Sequence, residues 1–286
     1  MTSLKSLLAG PKPVFAPNVF NALTAKLAEQ AGFNSLYLGG GPLGYVNCGL
    51  EANLTLQDLV HVGIEIRTVS SLPLILDGLC GWGDPMHMHR SIPMAEAAGF
   101  CAIEIEDQIL PKRAHHHVQI EHMVPPELMA AKIREAVAAR RSDDFLVIGR
   151  SNGIRSSNMD DALRRAELYK KAGADILFVL PRTPEEIRHV AERLPAPLMY
   201  MSSGGGLEAS GMSTDELYRL GYRLQVVPMV PVLAFHAVMK ETYRALAACV
   251  LPDVLKGKGT KAEHEALNET VGLAKLLEIE RATVER

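Results

Sequence analysis

Cysteine is scarce in this chain. Cys48, Cys80, Cys101 and Cys249 lie far apart and form no C-x-x-C pair. Neither a disulfide scaffold nor a clustered zinc site is expected, and a reducing, cytoplasmic setting is the simplest reading. Long apolar runs are missing too. No stretch approaches the roughly 18 residues of a membrane span, and residues 1–10 lack the apolar core of a signal peptide. A basic excess is also absent: a formal net charge of −3 argues against a nucleic-acid partner, which needs a phosphate-neutralising surface. What is present is a 286-residue chain, 48% hydrophobic and 22% charged, with enough apolar content for one large core.

The chain is monotonous in a useful way. Short apolar runs recur at 14–16, 35–38, 74–76, 102–105, 146–148, 176–180, 198–201 and 225–227. Most are followed by a Gly-, Pro- or Asn-containing loop and then an amphipathic segment. In residues 161–172, Ala162, Leu163, Ala166, Tyr169 and Ala172 share one face, with charges opposite. Asp84-Pro85 and Val230-Pro231 read as helix starts, and Gly32 and Gly173 as helix ends. Parallel strands buried on both faces read as continuous apolar runs, so the pattern predicts a closed (β/α)8 barrel of the α/β class over residues 1–243. Residues 244–286 form a helical extension. After Pro252 and Gly257-Lys-Gly259, a helix over 262–280 is expected, with Leu267, Val271, Ala274 and Leu277 on one face. It would pack on its own barrel or on a second subunit.

In such a barrel, chemistry belongs to the C-terminal ends of the strands. Strand two is followed by Gly39-Gly40-Gly41-Pro42, where bare backbone donors could approach a carboxylate, or where the chain simply turns. Strand three ends in Asp77, strand four in Glu106-Asp107-Gln108 and strand five in Arg150-Ser151-Asn152. Ser202-Ser203-Gly204-Gly205-Gly206 follows strand seven, a place where barrels often bind anions. Asp77 and Glu106 could be ordinary ion-pair partners. Placed at adjacent strand ends beside Arg150, they suit a divalent cation and a small carboxylate together. Mg²⁺ fits, since it takes one or two carboxylates and keeps waters; Mn²⁺ is a possible substitute. Lys112 and His115-His116-His117 open the loop after strand four. In an extended chain only His115 and His117 could share a ligand. His87, His89 and Trp82 read as structural.

Five segments together resemble the isocitrate lyase/phosphoenolpyruvate mutase superfamily. They are Asn21-Ala-Leu-Thr-Ala, Asp77-Gly-Leu-Cys-Gly-Trp-Gly83, Ile105-Glu-Asp-Gln-Ile-Leu-Pro-Lys112, Ile148-Gly-Arg-Ser-Asn152 and Ala172-Gly-Ala-Asp175. The resemblance implies a barrel whose eighth helix is exchanged between subunits of a homodimer or homotetramer. It also implies Mg²⁺ and an enolate formed from a 2-oxo or 2-hydroxy carboxylate. By position, Asp77 and Glu106 would hold the metal and Arg150 a substrate carboxylate. Gly40 and Gly41 would supply backbone donors, and residues 111–117 would gate the site. Pro42, Asn152 and Ser202 complete the candidate substrate contacts.

The departures from that pattern narrow the chemistry. The second acid of an Asp-x-Asp pair is Leu79, the gating-loop cysteine is Ala114, and the acid after strand five is Asn152. An aspartate expected after strand two has no clean counterpart; Glu51 is nearest. The missing cysteine argues against a standard isocitrate or methylisocitrate lyase, and the missing aspartate against phosphoryl transfer. A carbon–carbon lyase or decarboxylase acting on a small di- or tricarboxylate is expected. Lys112, His115, His116 and Arg150 are its candidate catalytic residues, and His115 is the favoured replacement acid. The alternatives are phosphonopyruvate-type P–C chemistry and a degraded barrel that only binds a carboxylate.

Overall fold

The computed structural model describes residues 3–202, 205–257 and 259–285. Eight strands form one parallel sheet: β1 (Val14–Pro17), β2 (Leu36–Leu38), β3 (Leu74–Asp77), β4 (Ala102–Glu106), β5 (Leu146–Ser151), β6 (Ile176–Val179), β7 (Leu198–Met201) and β8 (Tyr222–Val227). Their order is β1-β8-β7-β6-β5-β4-β3-β2. A parallel bridge between Asn18 and Tyr37, with Val19 N–H donating to Tyr37 O at 2.8 Å, joins β1 to β2 and closes the ring. Each expected apolar run is a strand. Both faces of β2 to β6 are covered, so apolar residues are wanted at nearly every position there.

Alternation then splits the strands into two cores. Val14, Ala16, Tyr37, Ile75, Ala102, Ile148, Phe178, Met199, Leu224 and Val226 fill the barrel interior. Leu36, Leu38, Leu74, Leu76, Ile103, Ile105, Val147 and Leu177 face the helices. Leu4 and Leu8 of the short helix Leu4–Ala9 join the interior cluster. That helix precedes the first strand-helix unit. The helix Met159–Lys171 shows how local chemistry sets an element. Asn158 caps its first turn by accepting from Asp161 N, Asp160 and Asp161 complement the positive end, and Lys170 and Lys171 the negative end. Gly173 at φ +109° then ends it, a conformation that costs glycine little.

The chain divides into two compact units, Met1–Val232 and Leu233–Arg286. The second holds most of the helix Val230–Ala247, a short turn Asp253–Lys256, and the helices Gly259–Val271 and Leu273–Thr283. The single helix expected over 262–280 is therefore two. Gly272, at φ +74°, interrupts it, and Lys258 lies outside the described residues. Leu267, Val271 and Leu277 are exposed. Among the described residues, no helix is long and apolar enough to cross a membrane.

Candidate active site

Strand register builds the floor of the site. Asp77 stands level with Glu104, and Glu106 with Arg150. Glu104 and Glu106 are two residues apart on one strand, so both point into the barrel. Arg150 Nη1 donates to Glu104 at 2.8 Å, and its Nε lies 3.3 Å from Glu106. Asn152 bridges the group: its Oδ1 accepts from Arg150 at 3.2 and 3.1 Å, and its Nδ2 donates to Glu106 at 3.0 Å. Tyr37 OH donates to Glu104 at 2.9 Å. Burial pushes Glu104 up to about 7 against the pull of Arg150. Burial opposes ionisation of Glu106 as well, but Arg150, Lys112 and His116 hold it well below the usual carboxylate range. Asp107 turns the other way. It accepts from Tyr169 OH at 2.7 Å, Ser151 Oγ at 3.0 Å and Asn152 N at 2.9 Å, fastening β4 to the helix layer.

The loop after β4 folds over this floor. Its ends are pinned by an antiparallel pairing of Gln108 with Met123, and by Ile109 N–H donating to His122 O at 2.8 Å. Lys112 is buried between Glu51, at 2.7 Å, and Glu106. Burial disfavours its charge, yet Glu106 and Glu51 outweigh that and hold it above the usual lysine range. His116 meets Glu51 through Nε2 at 3.2 Å and Glu121 through Nδ1 at 2.9 Å. Glu121 lies 3.5 Å from Arg155, and Arg182 donates to Gln119 at 2.8 Å.

His115 departs from expectation. Its Nδ1 lies 2.9 Å from His122 Nε2 at the exposed side, away from the carboxylates. Residues Ala114–Val118 form a 3-10 turn rather than extended chain, so successive side chains point about 120° apart. His116 is brought to the acids and His115 is not. His117 Nδ1 meets Tyr45 OH at 3.1 Å.

Glu51 comes from far away in sequence to complete the cluster. A Cβ added at Gly44 would sit 2.6 Å from Glu51 N, so glycine there lets the turn Glu51–Asn53 pack against the helix Gly40–Val46. Sequence reasoning left Glu51 open and overlooked Glu104, Tyr37 and Glu121. For Glu104 a signal existed, because alternation in Ile103-Glu-Ile-Glu puts both acids on one face. For Glu121 none did.

The remaining candidates fall around this core. Gly40 N–H donates to Asp77 Oδ2 at 2.9 Å, so that donor serves the protein. Gly41 follows in the first turn of the helix, and Pro42, which has no N–H, packs against Gly39. Ser202 is buried, and its Oγ has no partner among the described residues; Ser203 and Gly204 lie outside them. His87 caps a turn by accepting from Asp84 N at 3.0 Å, His89 pairs with Glu135 at 2.9 Å, and Trp82 donates to Leu54 O.

Charge balance bears on the metal. Burial, then Glu51, raises Asp77, and Lys112 and Arg150 do not compensate. Even with Glu104 protonated, Glu51, Asp77 and Glu106 face these two cations, a deficit of positive charge that a divalent ion would offset. Leu79, 4% exposed, stands where a second acid would be, and a Cβ at Gly40 would meet its Cδ2 at 2.4 Å. Among the described residues no three acidic, histidine or cysteine side chains converge as a ready-made ligand set. The residues fit an ion that takes one carboxylate and keeps its waters, as Mg²⁺ does.

The family model for phosphoenolpyruvate phosphomutase matches residues 4–247. The chain belongs to the phosphoenolpyruvate mutase/isocitrate lyase superfamily. It is 32% identical to the 2,3-dimethylmalate lyase of Eubacterium barkeri, over 97% of this chain and 96% of that protein. It is 35% identical to the 2-methylisocitrate lyase of Aeropyrum pernix, over 91% and 81%. Among solved structures, a phosphonopyruvate hydrolase in complex with oxalate and Mg²⁺ superposes with a TM-score of 0.83 at 26% identity, covering 98% of each chain.

Proposed function

We propose that this superfamily member is a divalent-cation-dependent carbon–carbon lyase that cleaves a small 2-hydroxy or 2-oxo carboxylic acid through an enolate. The observation that carries this reading is the linked set Glu51, Lys112, Glu106 and Arg150, enclosed with Asp77 under the β4 loop. Asp77 would hold Mg²⁺, with Glu51 and Glu106 receiving its waters; when bound, the ion polarises the substrate oxygen and favours its ionised form. Arg150 binds the substrate carboxylate. For a 2-hydroxy acid, the hydroxyl proton passes to the Glu51–His116 pair as the C2–C3 bond breaks. The bond's electrons stay on C3, giving an enolate, and C2 becomes the carbonyl of a 2-oxo acid. His116, oriented by Glu121, returns the proton to C3. Lys112 keeps positive charge against the enolate.

Ala114 favours a second reading within the same chemistry. Without the loop cysteine, a 2-oxo diacid could lose CO₂ to leave an enolate protonated by His116 or water. A turnover screen separates the two. Oxaloacetate, 2-methylmalate, 2,3-dimethylmalate, 2-methylisocitrate and phosphonopyruvate would each be offered with Mg²⁺ or Mn²⁺. Release of a 2-oxo acid from a 2-hydroxy acid supports the lyase; CO₂ from oxaloacetate supports the decarboxylase. Phosphate from phosphonopyruvate supports P–C chemistry, and no turnover of any would overturn the reading.

The assembly we propose is a homodimer or homotetramer. A cavity of about 470 Å³ outside β1 and β8, lined by Phe15, Pro17, Met212 and Val227, offers an apolar seat. Phe235, Val238, Tyr243 and Leu246 of the helix Val230–Ala247 are exposed, and this helix from a second copy is the proposed occupant. Four unpaired cysteines suit a reducing, cytoplasmic setting.

A further inference from the structure

At the end of β1, Asn18 faces the barrel interior, since Val14 and Ala16 point inward and the positions alternate. It is 1% exposed. Its Oδ1 accepts from Gly39 N–H at 2.9 Å. That contact sets the orientation of the carboxamide: the backbone N–H must meet the oxygen, so the nitrogen points the other way. Asn18 Nδ2 is sealed from solvent and has no acceptor among the described residues. A buried donor left without a partner is costly, and such groups in native proteins call for an explanation. The acids of the site do not supply one. Asp77, Glu104 and Glu106 bond to Gly40, Arg150, Tyr37, Asn152 and Lys112, and none lies within hydrogen-bond distance of Asn18 Nδ2.

The rest of the interior face narrows what that donor meets. Phe178, Leu180, Met201 and Val226 line β6 to β8, and none can accept a hydrogen bond through its side chain except weakly through the methionine sulfur. Among the described residues nothing supplies an acceptor for Asn18, and a ligand in the barrel mouth would supply one. We infer that Asn18 is a substrate-binding residue whose carboxamide donates to an oxygen of the bound carboxylic acid. The part of the ligand that lies along β6 to β8 is correspondingly alkyl. This rests on the proposal that the barrel mouth is the site of a carboxylic-acid lyase, and it adds a residue and a substrate preference to it: an alkyl-substituted acid over a tricarboxylate.

Asparagine to aspartate separates this role from the structural one. Asn18→Asp keeps an oxygen for Gly39 N–H and replaces the donor with an acceptor. On the substrate identified by the turnover screen, Asn18→Asp should raise KM roughly tenfold or more, with a smaller change in kcat. A residue that only held Gly39 would leave KM unchanged. Should Asn18→Asp fail to fold, the wild type carries the test. In ¹⁵N-asparagine-labelled protein with Mg²⁺, the Asn18 side-chain amide resonances, assigned by their loss in Asn18→Ala, should shift on adding oxalate or 2-methylmalate. Resonances unmoved by both ligands would overturn the inference, as would an unchanged KM in a folded Asn18→Asp. If the resonances move but nothing in the screen turns over, the binding role stands and the lyase reading falls.

Discussion

Glu104 offers a quantitative test of the electrostatics under the site. It is fully buried, accepts from Tyr37 and Arg150, and is pushed from an ordinary 4.5 to about 7, by burial first. A carboxyl whose folded value is raised binds its proton more tightly in the folded state. Its stabilising contribution is therefore complete below about 4.5 and lost as pH rises through about 7. At about 1.4 kcal/mol per pH unit the full effect is about 3 kcal/mol, most of it lost between pH 5 and pH 8. Glutamine has the same shape and cannot ionise. From pH 5 to pH 8 the wild type should therefore lose about 2–3 kcal/mol more stability than Glu104→Gln. Urea unfolding of both proteins at the two pH values, at one protein concentration, measures this as a double difference in which titrating groups not coupled to Glu104 cancel. A difference under about 1 kcal/mol would refute the reasoning, and would mean that Arg150 keeps Glu104 ionised throughout.

Four further outcomes are expected. Asp77→Ala should lower turnover by orders of magnitude and weaken Mg²⁺ binding in calorimetry while the circular dichroism stays native; full turnover in excess chelator would contradict a metal role. Leu79→Asp should tighten Mg²⁺ binding, and unchanged or weaker affinity would count against the charge-deficit argument. His116→Ala should depress turnover about 10²–10⁴-fold, the range for losing an acid–base group, while His115→Ala stays near the wild type; the reverse ranking would mean that the loop rearranges in turnover. Light scattering should report a dimer or tetramer, and a stable monomer at micromolar concentration would reject exchange of the helix Val230–Ala247.

Much of the site was legible before any coordinates because it sits on strands. A strand alternates its side chains, and a parallel barrel presents the end of each strand to one mouth, so Asp77, Glu106 and Arg150 could be brought together from order alone. Asn152 was legible for the same reason, one step past β5. The loop residues were not. The motifs in the chain point to a gating segment at 111–117, but only its backbone conformation decides which histidine enters.

Local chemistry in the sequence determined the eight strands, the capped helix Met159–Lys171 and the closed barrel they imply, because burial on both faces, end-capping and chain reversal are written in near neighbours. The tertiary structure decided what lies between distant segments. Glu51 reaches Lys112 only because Gly44 permits a close turn, and Asn18 finds Gly39 only because β1 and β2 close the ring. His116 and not His115 faces the acids because Ala114–Val118 winds as a 3-10 turn, and Gly272 divides a helix that periodicity alone would continue. Contacts between residues far apart in the chain depend on where backbones cross, and no periodicity records that.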